Sequence, residues 1–157
     1  KRGSLNWFER NYPGVKIVYW DGFDEKIRND SRLIFDEWCS GHECSNCFYG
    51  CEKKAFERFC DIFDKSHHRL AVSYYQNNPL SFAASERIGE NMEIYYFQKN
   101  ASKIRGLMYW LNRQMLLDWP DIKYFNLGED MGIKGIREDK SSLRPVELKK
   151  KYTVEFI

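Results

Sequence analysis

No stretch of this sequence reaches the roughly 18 consecutive apolar residues that a transmembrane helix needs. No charged segment, apolar segment and small-residue cleavage site open it either, so a secretory leader is not expected. The two absences together predict a cytoplasmic chain. Net charge is nearly absent as well: 25 Lys and Arg against 23 Asp and Glu leave a formal +2. Such a balance advertises neither nucleic acid nor a membrane as partner, and any claim of that kind must rest on local patches. Internal repeats and low-complexity linkers are missing, which predicts one domain and not a string of modules. An initiator Met is also missing at Lys1, and the expectation is a piece of a longer protein.

What is present suits one folded domain. The 157 residues are 43% hydrophobic and 31% charged, a globular balance in a chain long enough to bury a core without staples. Aromatic residues reach 17%, from 11 Phe, 10 Tyr and 5 Trp. That load fits a sheet-rich core or a ligand cleft with stacking walls, and composition does not choose between them.

Residues 5–12, LNWFERNY, give a short amphipathic pattern stopped by Pro13-Gly14, and VKIVYW reads as a strand from its β-branched and aromatic content. Residues 31–38 predict a short helix packing Leu33, Ile34 and Trp38. A Cys-rich loop runs from Cys39 to Cys51. The next segment, EKKAFERFCDIFDK, places Phe56, Phe59, Cys60 and Phe63 on one helix face. A hairpin is predicted in HHRLAVSYYQNNPLSFAASERIG with its turn at Asn77-Asn78-Pro79, because Asn tolerates positive φ and Pro cannot continue a ladder. MEIYYFQ at 92–98 reads as a strand. A helix over about 103–119 follows, with Ile104, Leu107, Met108, Leu111, Met115 and Trp119 on one stripe. IKYFNLG at 122–128 is a compact strand, a helix or turn spans about 134–142, and the tail ELKKKYTVEFI reads as a final strand. Alternation of this kind predicts an α/β (α+β) fold, a mixed central sheet covered by helices.

The run from Asn126 to Pro145, NLGEDMGIKGIREDKSSLRP, resembles a signature of the phosphatidylglycerol lysyltransferase C-terminal family. Its soluble bacterial members carry there an acidic pair, a Gly, a GLRKAK-like stretch and an aromatic-Pro ending. LNWFERNYP, the strand at 92–98, the helix start near Arg105-Gly106 and the closing KKYTVE are similar in order and spacing. The resemblance covers nearly the whole chain. It implies a GNAT fold, with this chain as the second unit of a tandem pair, and transfer of an acyl or aminoacyl group from acyl-CoA or aminoacyl-tRNA to an amine or hydroxyl acceptor. It also implies that the strands at 92–98 and 122–128 splay apart and hold the donor in the gap, with Glu129 and Asp130 at the mouth. Acetyltransferases of this superfamily carry a glycine-rich turn between strand and helix whose amides cradle pyrophosphate. The turn here, QKNASKIRG, has one glycine, Gly106.

Acyl transfer needs a base for the attacking group and donors for the developing oxyanion. Glu129 and Asp130 are the candidate bases, since adjacent carboxylates repel and a raised pKa on one suits that work; the alternative is that they cap the following turn. Tyr95 and Tyr96 alternate on their strand, and Tyr96 is the candidate proton donor, with core packing the competing role. From Lys134 to Lys151 seven basic residues face three acidic ones. Arg137 and Lys140 in that stretch, with Lys103, Arg105 and Gly106 at the helix start, are candidates to hold donor phosphates. A solvated face is the alternative.

Four cysteines stand as Cys39-x4-Cys44-x2-Cys47-x3-Cys51, with His42 inside the loop. In a cytosolic chain that density suggests zinc or an iron-sulfur cluster, with Cys44 and Cys47 as first ligands and Cys39 and Cys51 completing the set. Reduced structural thiols and disulfides remain open. Three function classes follow: a transferase, a non-catalytic half that binds tRNA or a protein, and a module whose metal-stapled loop regulates an inherited scaffold.

Overall fold

A computed structural model of the chain describes residues 1–41 and 51–150 together with 152, 154 and 155. The elements, in order, are α1 (Arg2–Asn11), β1 (Lys16–Tyr19), α2 (Glu25–Ser40), α3 (Glu52–Asp61), β2 (His68–Tyr75), β3 (Asn78–Ile88), β4 (Met92–Asn100), α4 (Leu107–Asp118), β5 (Tyr124–Asn126) and α5 (Lys134–Ser142). The five strands form one sheet in the order β1-β2-β3-β4-β5. The first three pairings are antiparallel and the last, β4 with β5, is parallel. A parallel step cannot be made by a tight turn, and the chain makes it through α4.

Helices cover both faces of the sheet. On one, Leu70, Val72, Phe82, Ala84 and Phe97 pack against Ile27, Ile34 and Phe35 of α2 and Phe56 and Phe59 of α3. On the other, Ala71, Ala83 and Tyr95 meet Phe8 of α1 and Leu107, Trp110, Leu111 and Met115 of α4. The strands offer small residues to this second layer, and the helices offer large ones, which is how two surfaces interdigitate at native density. The hydroxyls of Ser73 and Ser81 meet there at 2.6 Å in full burial, each satisfying the other.

One extra residue reorganises β4. Ala84 pairs with Phe97 but its neighbour Ser85 pairs with Tyr95, leaving Tyr96 unmatched as a β-bulge. Side chains of a regular strand alternate between faces, so Tyr95 and Phe97 would share one. The bulge puts Tyr95 in the α4 layer and Phe97 in the α2/α3 layer.

Three expectations from the sequence are corrected. The hairpin turns at Gln76-Asn77, both at positive φ, with Tyr75 opposite Asn78 and Pro79 already in β3 opposite Tyr74; the two-residue loop matches the strands' twist. The helix expected from 103 begins at Leu107, because Gly106 is left-handed at φ 84° and acts as its N-cap. Among the described residues of the tail there is no strand. Leu148, Tyr152 and Val154 are 73–78% exposed, as a β segment without a partner edge must leave its side chains.

Candidate functional site

β4 and β5 run together for only three residue pairs, Met92 with Tyr124, Glu93 with Phe125 and Ile94 with Asn126. β4 then continues from Tyr95 to Asn100, while the chain after Asn126 turns away through Gly128, at φ 71°. From Tyr95 on, β4 presents one edge with no strand beside it among the described residues. Gly128 still lies near the Tyr95 carbonyl oxygen, which is 3.6 Å from where a Cβ on that glycine would stand, so the gap between the two segments is what lies past that point. Unpaired strand edges offer amide and carbonyl groups to a ligand. The bulge at Tyr96 sits on this same stretch, where such features commonly redirect a side chain at a site.

At the mouth, Asp130 is already engaged. Its carboxylate takes the Arg137 guanidinium, with Nη2 to Oδ1 at 3.3 Å, and accepts the Gly132 amide at 2.9 Å. Those two donors, Arg137 first, hold its pKa at about 2. Asp130 is therefore a fixed carboxylate and not a carboxyl with raised basicity. Glu129 is exposed beside it. The Lys140 ammonium, half-buried, donates to the backbone carbonyls of Leu127 at 2.7 Å and Glu129 at 2.6 Å, tying α5 to the end of β5; burial pulls its pKa down. Glu129, Asp130, Arg137 and Lys140 are thus brought together, and most of their polar contacts are to one another's segment.

The tyrosines point elsewhere. Tyr96 is exposed and its hydroxyl donates to the Glu86 carboxylate on β3, on the side away from β5; burial, then Glu86, pushes its pKa up to about 12. Tyr95 is buried with its hydroxyl on the Met115 sulfur at 3.1 Å and its ring 5.4 Å from Phe125. In the β4–α4 turn, Lys103 and Arg105 are exposed and Gly106 is buried. A Cβ on Gly106 would lie 2.2 Å from the Ser4 carbonyl oxygen, so this glycine serves the contact of α4 with α1.

Cys39 lies half-buried at the end of α2 beside the core, and Cys51 is exposed at the N-cap of α3. Cys44, Cys47 and His42 lie outside the described residues. Among the described residues no three His, Cys, Asp or Glu side chains are grouped for a metal. The sequence did not single out a polar group beneath the C-terminal end of α4. Glu93 is fully buried, with Oε1 taking the Ser85 hydroxyl, and burial raises its pKa. On the same sheet face Arg69 lies over the Trp119 ring at 3.6 Å. An acid placed two residues from Tyr95 in an apolar strand was the available signal.

A mixed sheet with helices on both faces and neighbouring parallel strands that part after three pairs is the GNAT acyltransferase fold. The chain belongs to the phosphatidylglycerol lysyltransferase C-terminal family, whose model matches residues 1–155. A conserved protein of unknown function from Bacteroides thetaiotaomicron superposes with a TM-score of 0.77 at 21% identity, over 94% of this chain and 49% of that one. The C-terminal domain of a putative lysylphosphatidylglycerol synthetase from Agrobacterium fabrum gives 0.65 at 18% identity, over 92% and 50%. An aminoglycoside acetyltransferase from an uncultured soil sample gives 0.61 at 11%, over 95% and 98%. The chain therefore spans about half the length of the first two structures and nearly all of the third. A tRNA-5-methyluridine(54) 2-sulfurtransferase of Thermus thermophilus is 39% identical over 66 residues, 42% of this chain and 20% of that protein. Among the described residues no helix is long and apolar enough to cross a membrane.

Proposed function

We propose that this chain is the second GNAT-like unit of a tandem protein and transfers an acyl or aminoacyl group, from aminoacyl-tRNA or acyl-CoA, to an amine or hydroxyl acceptor. The observation that carries this reading is the parting of β4 and β5 after Ile94 and Asn126, which leaves an edge of β4 able to hydrogen-bond a donor's amide groups. Matches to half of two longer chains support the tandem arrangement. In this scheme Glu129 at the mouth takes the proton from the attacking amine or hydroxyl. The new bond forms at the acyl carbon, the ester or thioester bond breaks, and the departing oxygen or sulfur leaves with a proton. Lys103 and Arg105 in the β4–α4 turn are exposed and suited to donor phosphates. Arg137 is less suited, since it is paired with Asp130. Tyr96 reaches the leaving group only by releasing Glu86.

A non-catalytic half that binds tRNA or a protein is the second reading, favoured by that pairing and by the use of Lys140 to hold backbone. Transfer assays on the full-length protein separate the two, with radiolabelled aminoacyl-tRNA and acyl-CoA offered in turn to pooled amine and hydroxyl acceptors. The transferase reading expects Glu129→Gln to cut turnover by about 10²-fold or more, the usual weight of a general base, with donor affinity unchanged. No transfer with either donor, or equal turnover in the variant, leaves the binding reading in front. For the cysteine loop, zinc near one per chain, or iron near two or four per chain for a cluster, in freshly purified protein and lost in Cys44→Ser and Cys47→Ser, supports a metal staple.

A further inference from the structure

At the end of β1 and the start of β2 a cavity of about 260 Å³ is lined by Tyr19, Trp20, Lys65, His68, Arg69 and Trp119. β2 and β4 run in the same direction, since each is antiparallel to β3. The cavity stands at the beginning of β2, whereas the unpaired edge of β4 runs from Tyr95 towards the end of that strand. The two lie at opposite ends of the sheet, with β3 between their strands.

The lining is rich in donors and holds no carboxylate. Arg69 has an Nη1 that is buried without a hydrogen-bond partner, and it takes part in none of the ion pairs among the described residues. Its guanidinium carbon lies 3.6 Å from the centre of the Trp119 ring, a contact that restrains the side chain. The two acids whose fields reach it are Glu93 and Asp121. Glu93 takes the Ser85 hydroxyl on Oε1 while its Oε2 is buried with no hydrogen-bond partner, Arg69 included, and Asp121 is paired with Arg87 at 2.5 Å. Trp20 is 5% exposed, and its indole N–H is also buried without a partner. An unmade hydrogen bond on a buried donor is costly, and these two donors belong to residues that line one cavity, each atom now packed against protein and not open to the cavity itself. His68 accepts the Asp64 amide on Nδ1 at 2.9 Å, which puts the proton of the neutral ring on Nε2 and makes that nitrogen a donor. Lys65, exposed at the rim, adds a second full charge. The Tyr19 hydroxyl is occupied with Asp118 at 2.6 Å.

The guanidinium of Arg69, the imidazole of His68 and the ammonium of Lys65, all on residues that line one cavity, match a group with several acceptor oxygens and negative charge. The volume lies just under the range of about 300–1,000 Å³ for drug-sized ligands, which suits a single headgroup with its first attached atoms. We propose that this pocket binds a phosphoryl group, at a ligand site separate from the gap between β4 and β5. It stands whether or not the gap performs acyl transfer. The phosphoryl group belongs either to a small phosphomonoester or to the backbone of a nucleic acid, and the chemistry of recognition is common to both.

Trp20 and Trp119 both border the pocket, so tryptophan emission reports on it. Inorganic phosphate is titrated at constant ionic strength into the full chain and into Lys65→Ala and Arg69→Met. Wild type is expected to give a saturable change that chloride does not give. Lys65→Ala should weaken it about threefold, the weight of an exposed charge, and Arg69→Met at least about tenfold, the weight of a hydrogen bond between charged groups. Ribose 5-phosphate and a short RNA with unphosphorylated ends then compete against phosphate. Tighter competition by the monoester assigns a free ligand, and by the RNA a backbone phosphate. Absence of a saturable response in wild type overturns the proposal, as does an unchanged midpoint in both variants. Should Arg69→Met not fold, Lys65→Glu decides in its place: a surface reversal leaves the core intact and should weaken binding more than Lys65→Ala does, and an unchanged midpoint overturns the proposal.

Discussion

Asp130 and Arg137 form an ion pair across the first turn of α5, and the same carboxylate holds the Gly132 amide. The pair fixes the loop that follows β5. Since the folded pKa of Asp130, about 2, lies below its ordinary 3.8, the pair's stabilisation is present above about pH 4 and is lost as pH falls towards 2. Arg137→Ala should move the Asp130 carboxyl titration, followed by NMR, back up towards the ordinary value. A titration that stays near 2 in that variant would assign the shift to the Gly132 amide.

Gly106→Ala should destabilise the chain by about 2–4 kcal/mol, since the new methyl group meets the Ser4 backbone and the left-handed conformation alone costs about 1–2 kcal/mol. Urea unfolding checks this. A loss below about 0.5 kcal/mol would mean that α1 does not press on α4 as described.

Glu93→Gln tests the buried acid. The folded pKa is raised, so Glu93 contributes stability below its unfolded value and loses it as pH rises through the folded one. The stability difference between wild type and the Gln variant should therefore swing in favour of wild type as pH is lowered from 8 to 5. Parallel melting curves across that range would show that Glu93 stays ionised with Arg69 as its counter-charge.

Cys60 is buried, and burial pushes its thiol up to about 11. Reaction requires the thiolate, so brief alkylation at pH 8 followed by peptide mass spectrometry should modify Cys51 and spare Cys60. Equal modification would place Cys60 at the surface.

Much of this was legible in the sequence, and the exceptions share a cause. The stripe of Leu107, Leu111 and Met115 gave α4, and the run from Asn126 to Pro145 carried the family. Those signals are local, or lie in one continuous segment. The start of α4 was misplaced because Gly106 is required by Ser4, about a hundred residues away. The tail reads as a strand by composition, but a strand also needs an edge to pair with, and composition does not supply one. Arg69 and Glu93 escaped notice for a similar reason: they sit on β2 and β4, and only the intervening β3 brings them to one face. At the candidate site, the sequence reading grouped Glu129, Asp130, Arg137 and Lys140 in one cleft; the structure puts the Asp130 carboxylate on Arg137 and the Glu129 carbonyl on Lys140. The sequence could not show that Asp130 and Arg137 would satisfy each other.

The extra residue at Tyr96 is one the sheet absorbs without moving either core. Ser85 and Ala84 are neighbours on β3, and their partners Tyr95 and Phe97 face opposite layers as neighbours would. Deleting Tyr96 would close the bulge into a regular ladder and leave Phe97 among its aromatic partners and Lys99 on Glu52. What the deletion would remove is the side chain that stands outside the alternation and meets Glu86. β4 thus carries a spare place, where a residue can be added or lost while the phase of the strand on either side is kept.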